Sequence, residues 1–357
     1  MGTFVNLTSL IETFGDYTLL AIGGALIGVM FGFFAQRSKF CARAAVIECC
    51  DGNWGSRFAV WMLAFAVAIL AVQTSVLLDF LKPQNSRYLG SPGSISGAVV
   101  GGLMFGAGMI MTRGCASRLL ILSANGNLRA LLSGLVFAVT VQASISGLLA
   151  PARQWVTSLW MVEGGPDRNL LNLTSTWMGL VVGAALGAVA IWRLRCSKND
   201  SNNTWNWTGV FVGIAVALGW GFTQLIAEVS FDPVPVQSLS FSSPSAEWLM
   251  RTLSTVTAPK FGFDAGLLPG VFLGSLIASV LFREFKFEGF QTENKLGHYL
   301  SGSVLMGFGA VMAGGCTVGA GFTGGAVFSN TAWLTLISII LGAGLTYRVL
   351  KSTNSSI

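Results

Sequence analysis

Long apolar runs recur along this sequence, and a chain that must cross a lipid bilayer many times has few folds open to it. One crossing of the hydrocarbon core takes about 20 mostly apolar residues at 1.5 Å of helical rise each. Runs of that kind lie near 17–36, 57–81, 128–150, 174–193, 207–229, 264–283 and 332–349. Two shorter, glycine-rich runs lie near 96–112 and 299–313. Backbone in lipid must satisfy its own hydrogen bonds, so spanning segments of this length are helices. The expected fold is an all-α polytopic membrane protein of about nine transmembrane helices, one integral membrane domain over 1–357.

Composition excludes the main competitors. Only 10% of the 357 residues are charged, whereas a soluble domain carries about 25%. So few charges cannot cover a soluble surface, which sets aside soluble enzymes, DNA-binding modules and disordered chains. The net charge of +6 does not point to nucleic acid, because no basic cluster sits beside aromatic residues. Basic residues instead mark sidedness. Lys82, Arg87, Arg153, Arg168, Arg251 and Lys260 fall on the N-terminal side of the crossings, and the other fifteen of the 21 Lys and Arg fall opposite. The positive-inside rule then predicts an N-terminus outside and a C-terminus in the cytoplasm. Residues 1–16 carry no Lys or Arg, which argues against a cleaved secretory signal. Six cysteines without a CxxC pattern and a single histidine, His298, argue against structural zinc and His-based catalysis. No metal, cofactor or enzymatic activity is expected.

The two short runs resemble each other. Residues 105–115 read FGAGMIMTRGC and residues 306–316 read MGFGAVMAGGC, matching at Gly106/Gly307, Gly108/Gly309, Met111/Met312, Gly114/Gly315 and Cys115/Cys316. Each copy fits a four-crossing unit, 17–150 and 207–349, with a linking helix at 174–193 between them. An odd number of crossings in the linker turns the second unit over. The result is an inverted-topology repeat, which in many transporters places the substrate on broken helices near the midplane.

Three cysteines follow the ends of apolar runs and precede small residues able to start a short half-helix. They are Cys41 in QRSKFCAR, Cys115 in TRGCASR and Cys316 in GGCTVGAG. Broken backbone at that depth is tolerated inside protein or beside a water-filled path. The N–H groups and dipole of the following half-helix favour an anion there. Gly114, Gly314 and Gly315 allow close backbone approach, and Thr317 follows the last cysteine. A thiolate, favoured by Arg113 or Arg43, would hold a soft metal or act as a nucleophile. A neutral thiol, favoured by apolar surroundings, would donate a weak S–H bond to a polarizable acceptor such as sulfur. Both forms stay open at this stage. Cys49, Cys50 and Cys196 read as incidental, and Arg283, Glu284, Lys286 and Glu288 read as a solvated loop. Gln73, Asp79, Gln142, Gln224, Glu228 and Asp264 sit in or near spans, where polar groups are often functional. The polar stretch 233–249 lies where the second unit should break without a cysteine.

The segments SKFCARAA (38–45), TRGCASRLL (112–120) and GGCTVGAGFTG (314–324), with GVFLGSLIASVLFREFK (270–286), resemble the YeeE/YedE family of sulfur-transport membrane proteins. The resemblance runs from about residue 20 to 345 and keeps the motifs in order. It implies thiosulfate uptake across the bacterial inner membrane through inverted repeats with short loops dipping in from both faces. It carries substrate binding onto Cys41, Cys115 and Cys316, with Cys115 central, and a small cytoplasmic TusA-like sulfur carrier as partner. Beside the thiosulfate ion, membrane lipids are the expected surroundings. Arg113 stands where some relatives have a small residue, and with Gly114, Gly315 and Thr317 it forms the expected supporting set. Two alternatives stay open: a permease for selenium species or a soft metal, and a membrane sulfurtransferase forming a persulfide on Cys115.

Overall fold

A computed structural model describes residues 15–173, 176–196, 203–230, 233–253, 262–289 and 296–353. Lys198, Lys260 and Lys295, all used in the sidedness count, lie outside the described residues. Among the described residues nine helical segments are long and apolar enough to cross a membrane. The protein is an all-α, multi-pass membrane protein.

Six helices form the first part of the bundle: α1 Asp16–Arg37, α2 Ala42–Cys50, α3 Ser56–Leu77, α4 Ile95–Met111, α5 Ala116–Ala124 and α6 Leu128–Ser146. A short α7, Ala150–Ser158, precedes α8, Thr176–Cys196. The remainder comprises α9 Gly209–Val229, α10 Ser242–Leu253, α11 Phe263–Leu281, α12 Leu296–Met312, a short π-helix Thr317–Gly324, and α13 Asn330–Ser352. Local chemistry sets several ends. Asp16 opens α1 and Arg37 closes it, each complementing the helix dipole. The Asn127 side chain caps α6 by accepting the Ala130 N–H at 2.9 Å.

Helices α1 and α11 run parallel along a seam of small residues. Gly24, Gly28 and Gly32 face the carbonyls of Phe263, Leu267 and Val271, while Gly266, Gly270 and Gly274 face those of Ala21, Ala25 and Val29. A Cβ on Gly28 would stand 2.6 Å from the Leu267 oxygen, so the backbones meet only because none is there. Such spacing is what brings membrane helices into direct contact.

The rest of the packing comes in matched pairs. Helix α1 lies on α11 and α9 on α3; α4 lies on α13 and α12 on α6; α2 lies on α13 and α10 on α6. Helix α5 packs on α11 and the π-helix on α3, while α4 meets α12 and α1 meets α9. Helix α8 lies against α3 with much of its surface outward, including Trp177 and Val181. The centre is closed by fully buried rings: Phe31, Phe105, Phe137, Trp220, Phe241 and Phe322.

Candidate functional site

Each of the three predicted cysteines caps a short helix after a break. Cys41 is the N-cap of α2, Cys115 of α5 and Cys316 of the π-helix, and all three are buried. The break has one geometry in all three places, with a left-handed residue two positions before the cysteine. These are Lys39 at φ 51°, Arg113 at φ 61° and Gly314 at φ 76°. The left-handed residue ends the incoming helix by turning the next N–H back onto its last turn. The Phe40 N–H donates to the Ala35 carbonyl at 3.0 Å and the Gly315 N–H to the Ala310 carbonyl at 2.9 Å. At the middle break the Thr112 hydroxyl lies 2.8 Å from the Gly108 carbonyl in the last turn of α4 and 2.9 Å from the Gly114 carbonyl beyond it, bridging the break.

The breaks converge. Cys41 and Cys115 lie within electrostatic reach of each other and of the Arg118 guanidinium. Ala42, next to Cys41, and Thr317, next to Cys316, line one small apolar cavity with Met109. Rings close the space between them: Phe40 meets Phe322 at 5.4 Å between centroids, and Phe31 meets Phe241 at 5.4 Å. Backbone N–H groups surround the sulfurs more than side chains do. Cys115 Sγ faces the Ser117 hydroxyl at 3.3 Å, and the Gly319 N–H donates to Cys316 Sγ at 3.4 Å. Gly315 has no room for a side chain, since a Cβ there would stand 2.7 Å from the Ala320 nitrogen.

Arg113 lies elsewhere than its sequence neighbours imply. Its guanidinium stands 5.9 Å from the centre of the Tyr299 ring, while Arg118, in the first turn of α5, lies near Cys41 and Cys115, and Arg43 lies near Cys41. Arg118 donates to Gln36 Oε1 at 3.3 Å, and Gln36 in turn donates to Glu284 at 3.1 Å. Glu284 also pairs with Arg37 at 3.0 Å, and Arg37 is held between Trp205 and Phe282. Glu284 was expected in a solvated loop. The turn after α11 instead folds it back onto α1, where two neighbours that are distant in sequence satisfy it.

Residues 233–241 are irregular, with a bend at Phe241, and lead into α10. The Phe241 N–H and the Val318 N–H both point at Cys316, and Ser240 faces Gly319. Tyr88 reaches the same place, its hydroxyl 3.4 Å from where a Gly319 Cβ would be. Burial pushes the Tyr88 phenol up out of its ordinary range, so it stays a hydrogen-bond donor. Burial also pushes the Glu247 carboxyl up, against the opposing pull of Arg251 and Arg87. Asp264 is buried near Glu247 and Gln237. Gln73 ties α3 to the end of the π-helix by donating to the Ala326 carbonyl at 2.7 Å. Gln224 donates to Glu228 at 3.0 Å, Gln142 to Ser146 at 2.9 Å, and Asp79 is exposed beyond α3. Cys49 and Cys196 are exposed and Cys50 is half-buried. Among the described residues no three of His, Cys, Asp and Glu gather into a group that could hold a metal ion.

A family model described as Sulphur transport matches residues 37–345. The chain belongs to that family. Two relatives are called thiosulfate transporter TsuA. The one from Spirochaeta thermophila is 26% identical over 336 residues, covering 89% of this chain and 96% of its own length. The one from Escherichia coli K12 is 23% identical over 339 residues, covering 90% of this chain and 92% of its own. The family match takes in all three breaks, from the residue that closes α1 to the middle of α13. Membership makes the chain a membrane transporter of sulfur compounds in its coarse assignment.

Proposed function

We propose that this protein imports thiosulfate across the bacterial inner membrane, handing the ion between the thiols of Cys115, Cys41 and Cys316. The single observation that carries this reading is the thrice-repeated break: a left-handed residue, then a buried cysteine capping a short helix. Both TsuA relatives bear the name of a thiosulfate transporter. The matched packing pairs support two inverted units, 17–150 and 207–349, joined through α8. In that arrangement α2 and α5 enter from the C-terminal side, and α10 and the π-helix enter from the N-terminal side. With the N-terminus outside, Cys316 is the first thiol reached and Cys41 the last. Cys115 lies between them, and Gly114, Gly315, Thr317 and Arg113 support the breaks.

The chemistry suits a soft dianion. Half-helix N-termini replace part of its hydration with backbone N–H groups and aligned dipoles. Each thiol donates S–H to the terminal sulfur, a contact that sulfate cannot match. Buried aromatic walls exclude water and keep the contacts short. A small TusA-like sulfur carrier would receive the ion on the cytoplasmic side.

The test is uptake of radiolabelled thiosulfate into proteoliposomes, with the internal product checked for intact thiosulfate. Wild type should accumulate it. Cys115→Ala, reconstituted to the same level, should lose about tenfold or more, since hydrogen bonds to charged groups contribute roughly 1.5–3 kcal/mol. Equal uptake by both would remove the thiol from the mechanism. A trapped Cys115 persulfide with sulfite released would replace import by sulfur transfer.

A further inference from the structure

Three of the six basic residues on the N-terminal side, Arg87, Arg153 and Arg168, line a single cavity of about 400 Å3. They come from separate segments: the loop before α4, helix α7 and the loop before α8. No carboxylate lines this cavity among the described residues. Arg168 is only 4% exposed, yet its hydrogen bonds go to neutral oxygens, the Ser91 carbonyl and the Thr331 hydroxyl. Its Nε is buried with no partner, and so is the Nε of Arg153. Gly93 makes room for the Arg168 guanidinium, which any Cβ there would overlap. Burial pulls Arg168 down from the usual arginine range. A buried cation that lacks a counter-ion is costly unless an anion visits it.

The cavity also leads somewhere. Its wall includes Gly314 and Ala320, which flank Cys316. Arg87 reaches the Gly314 carbonyl at 3.5 Å, at the left-handed residue of that break. Tyr88, also in the wall, continues to Gly319 beside the Cys316 sulfur. A water occupies about 30 Å3 of liquid volume, so the space holds a tetrahedral anion with part of its hydration. Guanidinium forks match pairs of oxygens on such an ion. No cysteine lines the cavity, and its guanidinium and hydroxyl donors serve an oxygen or a terminal sulfur alike.

We infer that this cavity is an oxyanion-loading site that takes sulfate as readily as thiosulfate and leaves the choice between them to the thiols beyond. The inference rests on the reading of the chain as a thiosulfate importer and adds a separate, unselective first step. Arg153 and Arg87 hold the incoming ion, and Arg168 fixes the wall and supplies standing positive charge. The ion then passes Arg87 and Tyr88 to reach Cys316.

Thiosulfate uptake measured with sulfate as competitor tests this in wild type, Arg153→Gln and Arg153→Lys. Sulfate should compete in wild type. Arg153→Gln should raise the thiosulfate KM and the sulfate inhibition constant by the same factor, about tenfold, the scale set by one lost charge-assisted contact. Its kcat should hold within about twofold, because the narrow path itself is untouched, and Arg153→Lys should keep most of the affinity. Failure of sulfate to compete, or a KM rise without a matching rise for sulfate, would overturn the loading site. Binding of radiolabelled sulfate to the purified protein in detergent separates the two readings. If wild type binds sulfate, Arg153→Gln does not, and neither moves thiosulfate, the import reading fails while the site stands. If wild type moves thiosulfate and Arg153→Gln binds sulfate equally well, the site fails while import stands.

Discussion

The two faces of the protein hold their arginines in opposite ways. On the C-terminal side Arg37 is paired with Glu284 at 3.0 Å and clasped between Trp205 and Phe282, and Arg118 is linked to the same carboxylate through Gln36. On the N-terminal side Arg168 is buried against a carbonyl and a hydroxyl, and no carboxylate lines its cavity among the described residues. On the face richer in basic residues Arg37 and Arg118 are thus answered by a carboxylate of the protein, while Arg43 keeps a buried Nε without a partner. On the poorer face Arg87 lies within electrostatic reach of Glu247 and Asp264, and it is Arg168 that meets only neutral oxygens. A count of charges marks orientation, whereas the presence or absence of a counter-ion separates a structural arginine from one able to meet a ligand.

The thiols divide along the same line and give the largest expected effect. The C-terminal-side half-helices α2 and α5 begin with Cys41 and Cys115, but on the other side only the π-helix begins with a cysteine, Cys316. Helix α10 begins with Ser242 and Ser243, and Ser240 just before it faces Gly319. Cys316→Ala should cut uptake about tenfold, whereas Ser240→Ala should cost less than about threefold, because Ser240 packs against Gly319 behind the break and does not meet the ion. Radiolabelled uptake at matched membrane levels decides it. A Ser240→Ala loss as deep as that of Cys316→Ala would mean that hydroxyls and thiols do the same work, and selectivity would need another source.

Much of this architecture is legible in the sequence, for physical reasons that also explain the gaps. Apolar length dictates the spans, and the Gly-Cys ends of the two short runs mark breaks because helix hydrophobicity stops there. The break before Cys41 has no glycine. Lys39 takes the left-handed conformation instead, at a steric cost that composition does not signal. Arg118 looks no different in sequence from Arg113, and only the turn of α5 brings one to the thiols while the other swings toward Tyr299. Glu284 reads as solvent-facing until the chain after α11 folds back to α1. The arginine cavity joins residues 87, 153 and 168, whose separation in the chain hides their proximity.

The contrast between answered and unanswered arginines is sharpened by Glu284→Gln. That change leaves Arg37 between two rings with a weaker acceptor, at a site where the arginine is 9% exposed and the carboxylate 36%. The expected loss is about 1–2 kcal/mol, between the values for exposed and for buried pairs. Thermal unfolding in detergent should show a Tm lower by a few degrees, a shift of the size such a loss gives in a large domain. Arg153→Gln should leave Tm unchanged or raise it, since it removes a cation that nothing in the protein offsets. A lower Tm for Arg153→Gln would place that arginine with the structural ones.

The smallest effect belongs to Asp51, the exposed residue just past α2 on the C-terminal side. It accepts from the Lys351 ammonium at 2.7 Å and from the Tyr347 hydroxyl at 2.9 Å, tying the half-helix that starts at Cys41 to α13. Hydrogen bonding to Lys351, then to Tyr347, holds its carboxyl below the ordinary value of 3.8. A carboxyl depressed in the folded state binds its proton more readily when unfolded, so the contact stabilises above the unfolded value and is lost as pH falls through the folded one. Wild type should therefore have a slight Tm advantage over Asp51→Asn at neutral pH, and the gap should begin to close near pH 4, in the unperturbed carboxylate range, and vanish only below the folded value. High salt should shrink the difference at pH 7, because exposed pairs are screened. A gap that survives both acid and salt would show the tether to be one of packing, with the charge on Asp51 contributing nothing.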